Sequence, residues 1–247
     1  MTSPPPAAPK AADISPPAQP VGRVLAAAAI VTAAVTLVSW LVPKAYAATG
    51  IGLVFLGATW FLTIRPEESD ARAWGLSLCG LLDREKIDPR RLARAAGIAL
   101  LWTLGLALIF YPPFYFGARA LWHPRHPFSF KLPGSLLDDV AGQLFVIALP
   151  EEAFFRGYLQ SALDRVWIPR WRVLGAQLGA GWLVSAAIFA VGHVLTTPSP
   201  SRLAVFFPAL VFGFLRARTG GVGAGVAFHA ACNLYSATLA RGFGLPT

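Results

Sequence analysis

The sequence predicts an all-α, polytopic transmembrane helical bundle of about seven spans, within a range of six to eight. Three observations predict it. The chain of 247 residues is 55% hydrophobic and only 13% charged, whereas soluble domains run near a quarter charged. Its mean hydropathy is +0.57. Its basic residues, which give a net charge of +9, lie mostly in short gaps between apolar runs. Membrane topology and anionic lipid explain that placement better than nucleic acid does. No stacking aromatics on a basic strand and no recognition-helix pattern are present, so nucleic acid is not an expected partner.

Each element follows in order. Residues 1–20 hold seven prolines and few large apolar groups, a composition that cannot bury a core and predicts a disordered tail. Val24 to Val42 is apolar for 19 residues without a charge, long enough to span. Ala45-Tyr46-Ala47 resembles a signal cleavage site, but the run before it is long and a second span, Ala45–Ile64, follows at once, which favours an uncleaved helix. Arg65 to Arg94 is the longest polar stretch of the body, with seven Lys/Arg and six Asp/Glu. Its apolar middle, AWGLSLCGLL, reads either as an interfacial helix or as a solvated loop. A third span covers about residues 96–117, which Pro112-Pro113 would kink or end. After the loop WHPRHPFSFKLPG come a fourth helix at about 136–163, a fifth at 172–195, a sixth at 202–217 and a seventh at 220–239. The fifth and seventh contain GAQLGAG and GGVGAGVA, small residues that let helices approach closely in lipid.

Three segments result: the tail 1–20, N-terminal membrane helices over 21–134 with a polar loop at 65–95, and a core over 135–247. With the N-terminus in the cytoplasm and seven spans, cytoplasmic segments hold fourteen Lys/Arg and the opposite side six, the bias that sets orientation. Cys79 and Cys232 lie in different segments without CxxC spacing, so neither a disulfide framework nor a zinc knuckle is expected.

The fourth helix carries LPEEAFFRGYLQ. A charged side chain at mid-bilayer costs on the order of 2.5–3.5 kcal/mol on insertion scales. Glu152 and Arg156 stand four apart on one face and can pair. Glu151 is turned about 100° away and is left over, in need of a proton, water or another polar partner. A buried glutamate near neutrality makes a useful general base. His193 closes the apolar run AAIFAVGHVL, and His229 lies mid-span with Asn233 one turn on. His123 and His126, in the proline-rich loop, read as exposed polar residues.

These groups suffice for hydrolysis. Glu151 would take a proton from water, His193 would hold the water or the acid, and His229 and Asn233 could donate to the oxyanion on a scissile carbonyl. Glu152 and Arg156 would set the charge around the base. No GxSxG motif and no Ser/Lys pair lies on a span. No cofactor is the leading expectation. The alternative is a zinc site of Glu151, His193 and His229, a His₂Glu set, although HExxH is absent.

In EEAFFR (Glu151, Glu152, Arg156), FAVGH (Phe189, His193) and HAACN (His229, Asn233), the chain resembles the CAAX-protease and bacteriocin-processing family of intramembrane proteases. The motifs EExxxR, FxxxH and HxxxN occur in the family's order, over about residues 135–240. The resemblance implies a polytopic helical fold and an endopeptidase using glutamate-activated water. It implies Glu151 as base, with His193, His229 and Asn233 completing the site and Phe189 as a packing residue beside it. The family's older label, metalloprotease, keeps zinc as the alternative cofactor. The partners implied are the lipid bilayer and a membrane-anchored or lipidated protein or peptide. One branch, the myxosortases, sorts proteins with a C-terminal anchor. The Ala-, Pro- and Arg-rich composition suggests a bacterial inner membrane, with the chain crossing it several times. The alternative is a non-catalytic immunity or scaffold protein whose polar cluster only holds helices together. A solute transporter would need a repeat between halves, and none is visible.

Overall fold

The computed structural model describes residues 18–66, 70–78 and 87–245. Among them are seven long helices, named here α1 to α7: Val21–Leu41, Lys44–Ile64, Pro89–Trp122, 136–166, Ala180–Thr196, Phe206–Thr219 and Gly223–Gly242. Four stretches of the described residues are long and apolar enough to cross a membrane: α1, α2, α3 and Pro200–Thr219, which is α6 with the 3₁₀ turn before it. The predicted tail falls largely outside the described residues, as do Cys79 and part of the apolar middle of the polar loop.

Local chemistry sets the boundaries. α1 ends where Val42 turns extended before Pro43, the conformation a following proline imposes. Its buried residues, Val24, Ala28, Val31 and Val35, recur at helical spacing and form one seam. Pro89 sits in the first turn of α3 behind Asp88, whose side chain accepts from the Arg90 N–H at 2.9 Å, a favourable start on both counts. Ser135 caps α4 by accepting from the Asp138 N–H at 3.2 Å, with Asp138 and Asp139 in the first turn facing the positive end of the helix dipole.

α4 is the central element. It touches α2, α5, α6 and α7, and every residue from 152 to 163 is buried. It is not a uniform α-helix. Gly142–Ala148 and Ala153–Gln160 are π-helical, and the single α turn Leu149–Glu152 lies between them. Such wide turns are rare and occur often at functional sites. α3, by contrast, buries only Leu106 and Ala118. It lies on the edge of the bundle against α7 and presents leucines and phenylalanines outward. In lipid that face has no reason to hide, because close packing rather than water expulsion holds membrane helices together.

Several expectations need correction. The fifth helix starts at Ala180, not at 172. Trp171–Val173 and Ala176–Leu178 pair instead as a two-stranded antiparallel hairpin, β1 and β2. Leu174 and Gly175 have φ of +48° and +83°, the two positive angles of a tight hairpin turn that matches strand twist. Most of GAQLGAG therefore builds the hairpin rather than a helix contact. Pro112 and Pro113 lie inside α3 and do not end it, since the helix runs on to Trp122. Residues 70–78 form neither an interfacial helix nor a solvated loop. Ala71–Trp74 is a 3₁₀ turn, and Trp74 and Leu76 are buried in the core. The Gly75 carbonyl accepts from the Val222 N–H at 3.0 Å, which fastens this segment to the turn between α6 and α7.

Candidate active site

Glu151 and Glu152 occupy the α turn between the two π segments of α4. Pro150 precedes them and has no N–H to offer the Val146 carbonyl four residues back. α2 packs there: a Cβ on Gly52 would lie 2.6 Å from the Val146 oxygen and 3.4 Å from Pro150 Cγ. Glycine at 52 is what allows this approach, and it sets α2 against the turn that carries the two acids.

Glu152 is fully buried and has two partners on one oxygen. Arg156 Nη1 lies 3.1 Å from Oε1, an ion pair whose angle falls short of a hydrogen bond. His229 Nδ1, from α7, lies 2.9 Å from the same oxygen. A carboxylate only accepts, so Nδ1 carries the hydrogen and donates it. Arg156 Nη2 donates to the Ala209 carbonyl of α6 at 3.0 Å. Its guanidinium lies over the rings of Phe189 at 4.6 Å and Phe212 at 5.2 Å, contacts that attract a cation. Three helices are thus tied through one carboxylate and one guanidinium. Gly225 leaves room for this, since a Cβ there would lie 3.1 Å from Glu152 Oε2.

Glu151 is different. Its side chain is 13% exposed, and its Oε2 is buried without a hydrogen-bond partner among the described residues. His229 Nε2 approaches it at 3.9 Å, too far for a direct hydrogen bond. One imidazole therefore stands between two adjacent carboxylates, bonded to one and facing the other. Phe212 stacks on that imidazole, with centroids 4.6 Å apart and planes 10° from parallel.

Glu151 and His193 line one pocket of about 60 Å³, together with Thr32, Val35, Ile51, Phe55, Phe155, Phe189, Gly192 and Thr196. One water needs roughly 10–15 Å³ of such space and two to four polar partners. His193 Nδ1 lies 3.0 Å from the Phe189 carbonyl of its own helix. A carbonyl accepts, so Nδ1 is the donor, and in the neutral ring Nε2 is left as an acceptor. Phe189 touches both histidine rings, at 4.3 Å for His193 and 6.0 Å for His229.

The structure thus brings Glu151, Glu152, Arg156, Phe189 and His229 into contiguous contact and places His193 on the pocket with Glu151. Asn233 stands one turn along α7 from His229, where its Nδ2 donates to Gln143 Oε1 of α4 at 2.9 Å. The zinc alternative asks Glu151, His193 and His229 to converge. Among the described residues, no three His, Cys, Asp or Glu side chains are grouped so as to hold a metal ion. Sequence reasoning missed Gln143, although a lone amide in AGQLFVIA was a visible anomaly. It also missed Phe212, which nothing in the sequence separates from other core aromatics, and the α1–α2 wall of the pocket.

Residues 133–235 match the family model described as type II CAAX prenyl endopeptidase Rce1-like. The matched residues, under half of the chain, are called here the Rce1-like domain. The domain holds all three motifs and begins just before α4. Its family is one of endopeptidases, so peptide-bond hydrolysis of the CAAX intramembrane type is the activity class the family supports. No curated protein and no solved structure matches the chain. α1 and α2, which supply Thr32, Val35, Ile51 and Phe55 to the pocket, lie outside the Rce1-like domain.

Proposed function

We propose that this chain is an intramembrane endopeptidase that cleaves a membrane-anchored or lipidated protein with water activated by Glu151, without a metal. The observation that carries the reading is the division of labour between the two acids. Glu152 is taken up through its Oε1 by Arg156 and His229, whereas Glu151 has no hydrogen bond among the described residues and lines a pocket that suits water.

The steps follow from the atoms present. Water donates one hydrogen to Glu151 and the other to the free Nε2 of His193, which leaves an oxygen lone pair for the scissile carbonyl. Glu151 takes the first proton as the C–O bond forms and the carbonyl π electrons move to oxygen. The Nδ2 of Asn233 carries a second hydrogen beyond the one given to Gln143, and that hydrogen stabilises the oxyanion. Glu151 then returns its proton to the departing amine, the C–N bond breaks, and a carboxylic acid and an amine are released. His229 has its Nδ1–H committed to Glu152 and faces Glu151 with Nε2. That nitrogen offers Glu151 an acceptor once the acid has taken up its proton. The polytopic fold suits an inner bacterial membrane with the N-terminus inside. A substrate with a C-terminal anchor suits a site reached from within the bilayer.

The test compares wild type with Glu151→Gln in native membranes by intact-mass proteomics, with and without a chelator. Anchored proteins shortened only with wild type, unaffected by chelator, support the reading. Loss of shortening on chelation moves the chemistry to a metal. An identical proteome, with the variant normally inserted, supports the scaffold alternative, in which the Glu152–Arg156–His229 tie is the purpose of the cluster.

A further inference from the structure

Thr32 belongs to α1, outside the Rce1-like domain, and it lines the pocket shared by Glu151 and His193. A threonine inside a membrane helix ordinarily returns its hydroxyl to a carbonyl of the preceding turn, which satisfies the group without outside help. Thr36, Thr63, Thr196, Thr219 and Thr238 all do this, with distances from 2.6 to 3.2 Å. Thr32 does not. Its Oγ1 is buried and has no hydrogen-bond partner among the described residues. Thr59 and Thr103 share that state, but neither lines this pocket.

Packing holds the side chain in place. A Cβ built on Gly192 would lie 3.7 Å from Thr32 Cγ2, so the methyl of Thr32 rests against α5. The Trp40 indole N–H donates to the Leu195 carbonyl at 3.0 Å, which pins α1 and α5 together two turns away. Leaving a buried hydroxyl unbonded is costly, and a bilayer offers nothing to bond it. The pocket does: its volume of about 60 Å³ has room for water.

We infer that Thr32 is a positioning residue of the active site, its hydroxyl holding the water that Glu151 activates. The inference rests on the proposed glutamate–water reading and extends it. With hydrogens given to Glu151 and His193, that water has one lone pair for the substrate carbonyl and one free. The Thr32 O–H donates to the free one and completes a tetrahedral set, which aims the attacking pair. The active site then spans the domain boundary: α4, α5 and α7 supply acid, base and amide, and α1 supplies the fourth contact to water.

The test measures the rate at which anchored proteins are shortened in native membranes, by pulse-labelling and intact-mass analysis. It compares wild type with Thr32→Val, Thr32→Ser, Thr36→Val and Glu151→Gln. Valine keeps the shape and the Gly192 contact and removes only the hydroxyl. The expected result is a 10- to 100-fold slower rate for Thr32→Val with an unchanged unfolding midpoint. Most of that loss is recovered in Thr32→Ser, and Thr36→Val stays at the wild-type rate. If Thr32→Val processes at the wild-type rate while Glu151→Gln is inactive, the role of Thr32 is overturned and the glutamate reading stands. If Thr32→Ser is as slow as Thr32→Val, the side chain acts by shape and the inference is likewise overturned. If wild type and Glu151→Gln give the same proteome, both readings fall together.

Discussion

Replacing Arg156 by methionine removes a charge of known geometry from a site sealed from water. Arg156 is 1% exposed, and its partner Glu152 is not exposed at all. Breaking one side of a buried ion pair costs about 3–5 kcal/mol, because the other charge stays behind uncompensated. The Ala209 carbonyl also loses its donor, about 1 kcal/mol. His229 keeps its hydrogen bond to Glu152 at 2.9 Å, which puts the total near the lower end, roughly 3–4 kcal/mol. Glu152→Gln alone strands the guanidinium in the same way. The double variant strands neither, and replacing a buried pair by neutral groups of similar volume is often neutral or stabilising. The double variant should therefore fall short of the sum of the singles by about 2–4 kcal/mol. Reversible unfolding by SDS in bicelles, read by tryptophan fluorescence, measures all four proteins. A loss below about 1 kcal/mol for Arg156→Met, or additivity within about 0.5 kcal/mol, would refute a buried ion pair that organises α4, α6 and α7.

Two further predictions concern how the helices hold the site. Gln143→Leu takes the acceptor from the Asn233 amide, so it should slow processing, and adding Asn233→Ala should then cost less than it does in wild type, as the rate and unfolding cycle will show. Gly52→Val drives a Cβ into the Val146 carbonyl, 2.6 Å away, where backbone cannot give; a loss of about 1–3 kcal/mol is expected by the same unfolding assay, against no loss for Gly57→Val, where nothing lies within 4 Å of the added carbon.

What could be read from the sequence was local or strongly patterned. Glu152 and Arg156 are four residues apart, and that spacing survives the change of winding that begins at Ala153. The seven helices stand where apolar runs were long. The failures have a common cause, which is that they depend on contacts far along the chain or on very short elements. β1 and β2 are three residues each, too short to show alternation, and Leu-Gly is a weak turn signature beside Asn-Gly. Gln143 and Asn233 are 90 residues apart, and nothing local to either names the other. Glu152 was legible as the partner of Arg156, but its second contact, His229, was not, since spacing on α4 says nothing of what α7 presents.

The π segments on either side of the glutamates change what kinds of sequence variation this site can absorb. Each wide turn closes its ring with one residue more than an α turn uses. The Leu149 N–H, for instance, reaches back to the Leu144 carbonyl. A single-residue deletion within 142–148 would let that segment rewind as ordinary α-helix and leave Glu151, Glu152 and Arg156 in phase with α7. The residue lost is the extra one the wide turn holds, so both flanks would keep close to their present phase. The same deletion in an α-helical stretch has no such slack and would swing everything on its N-terminal side by about 100°. The two π segments are therefore where this helix can lose a residue without turning one half of it against the other.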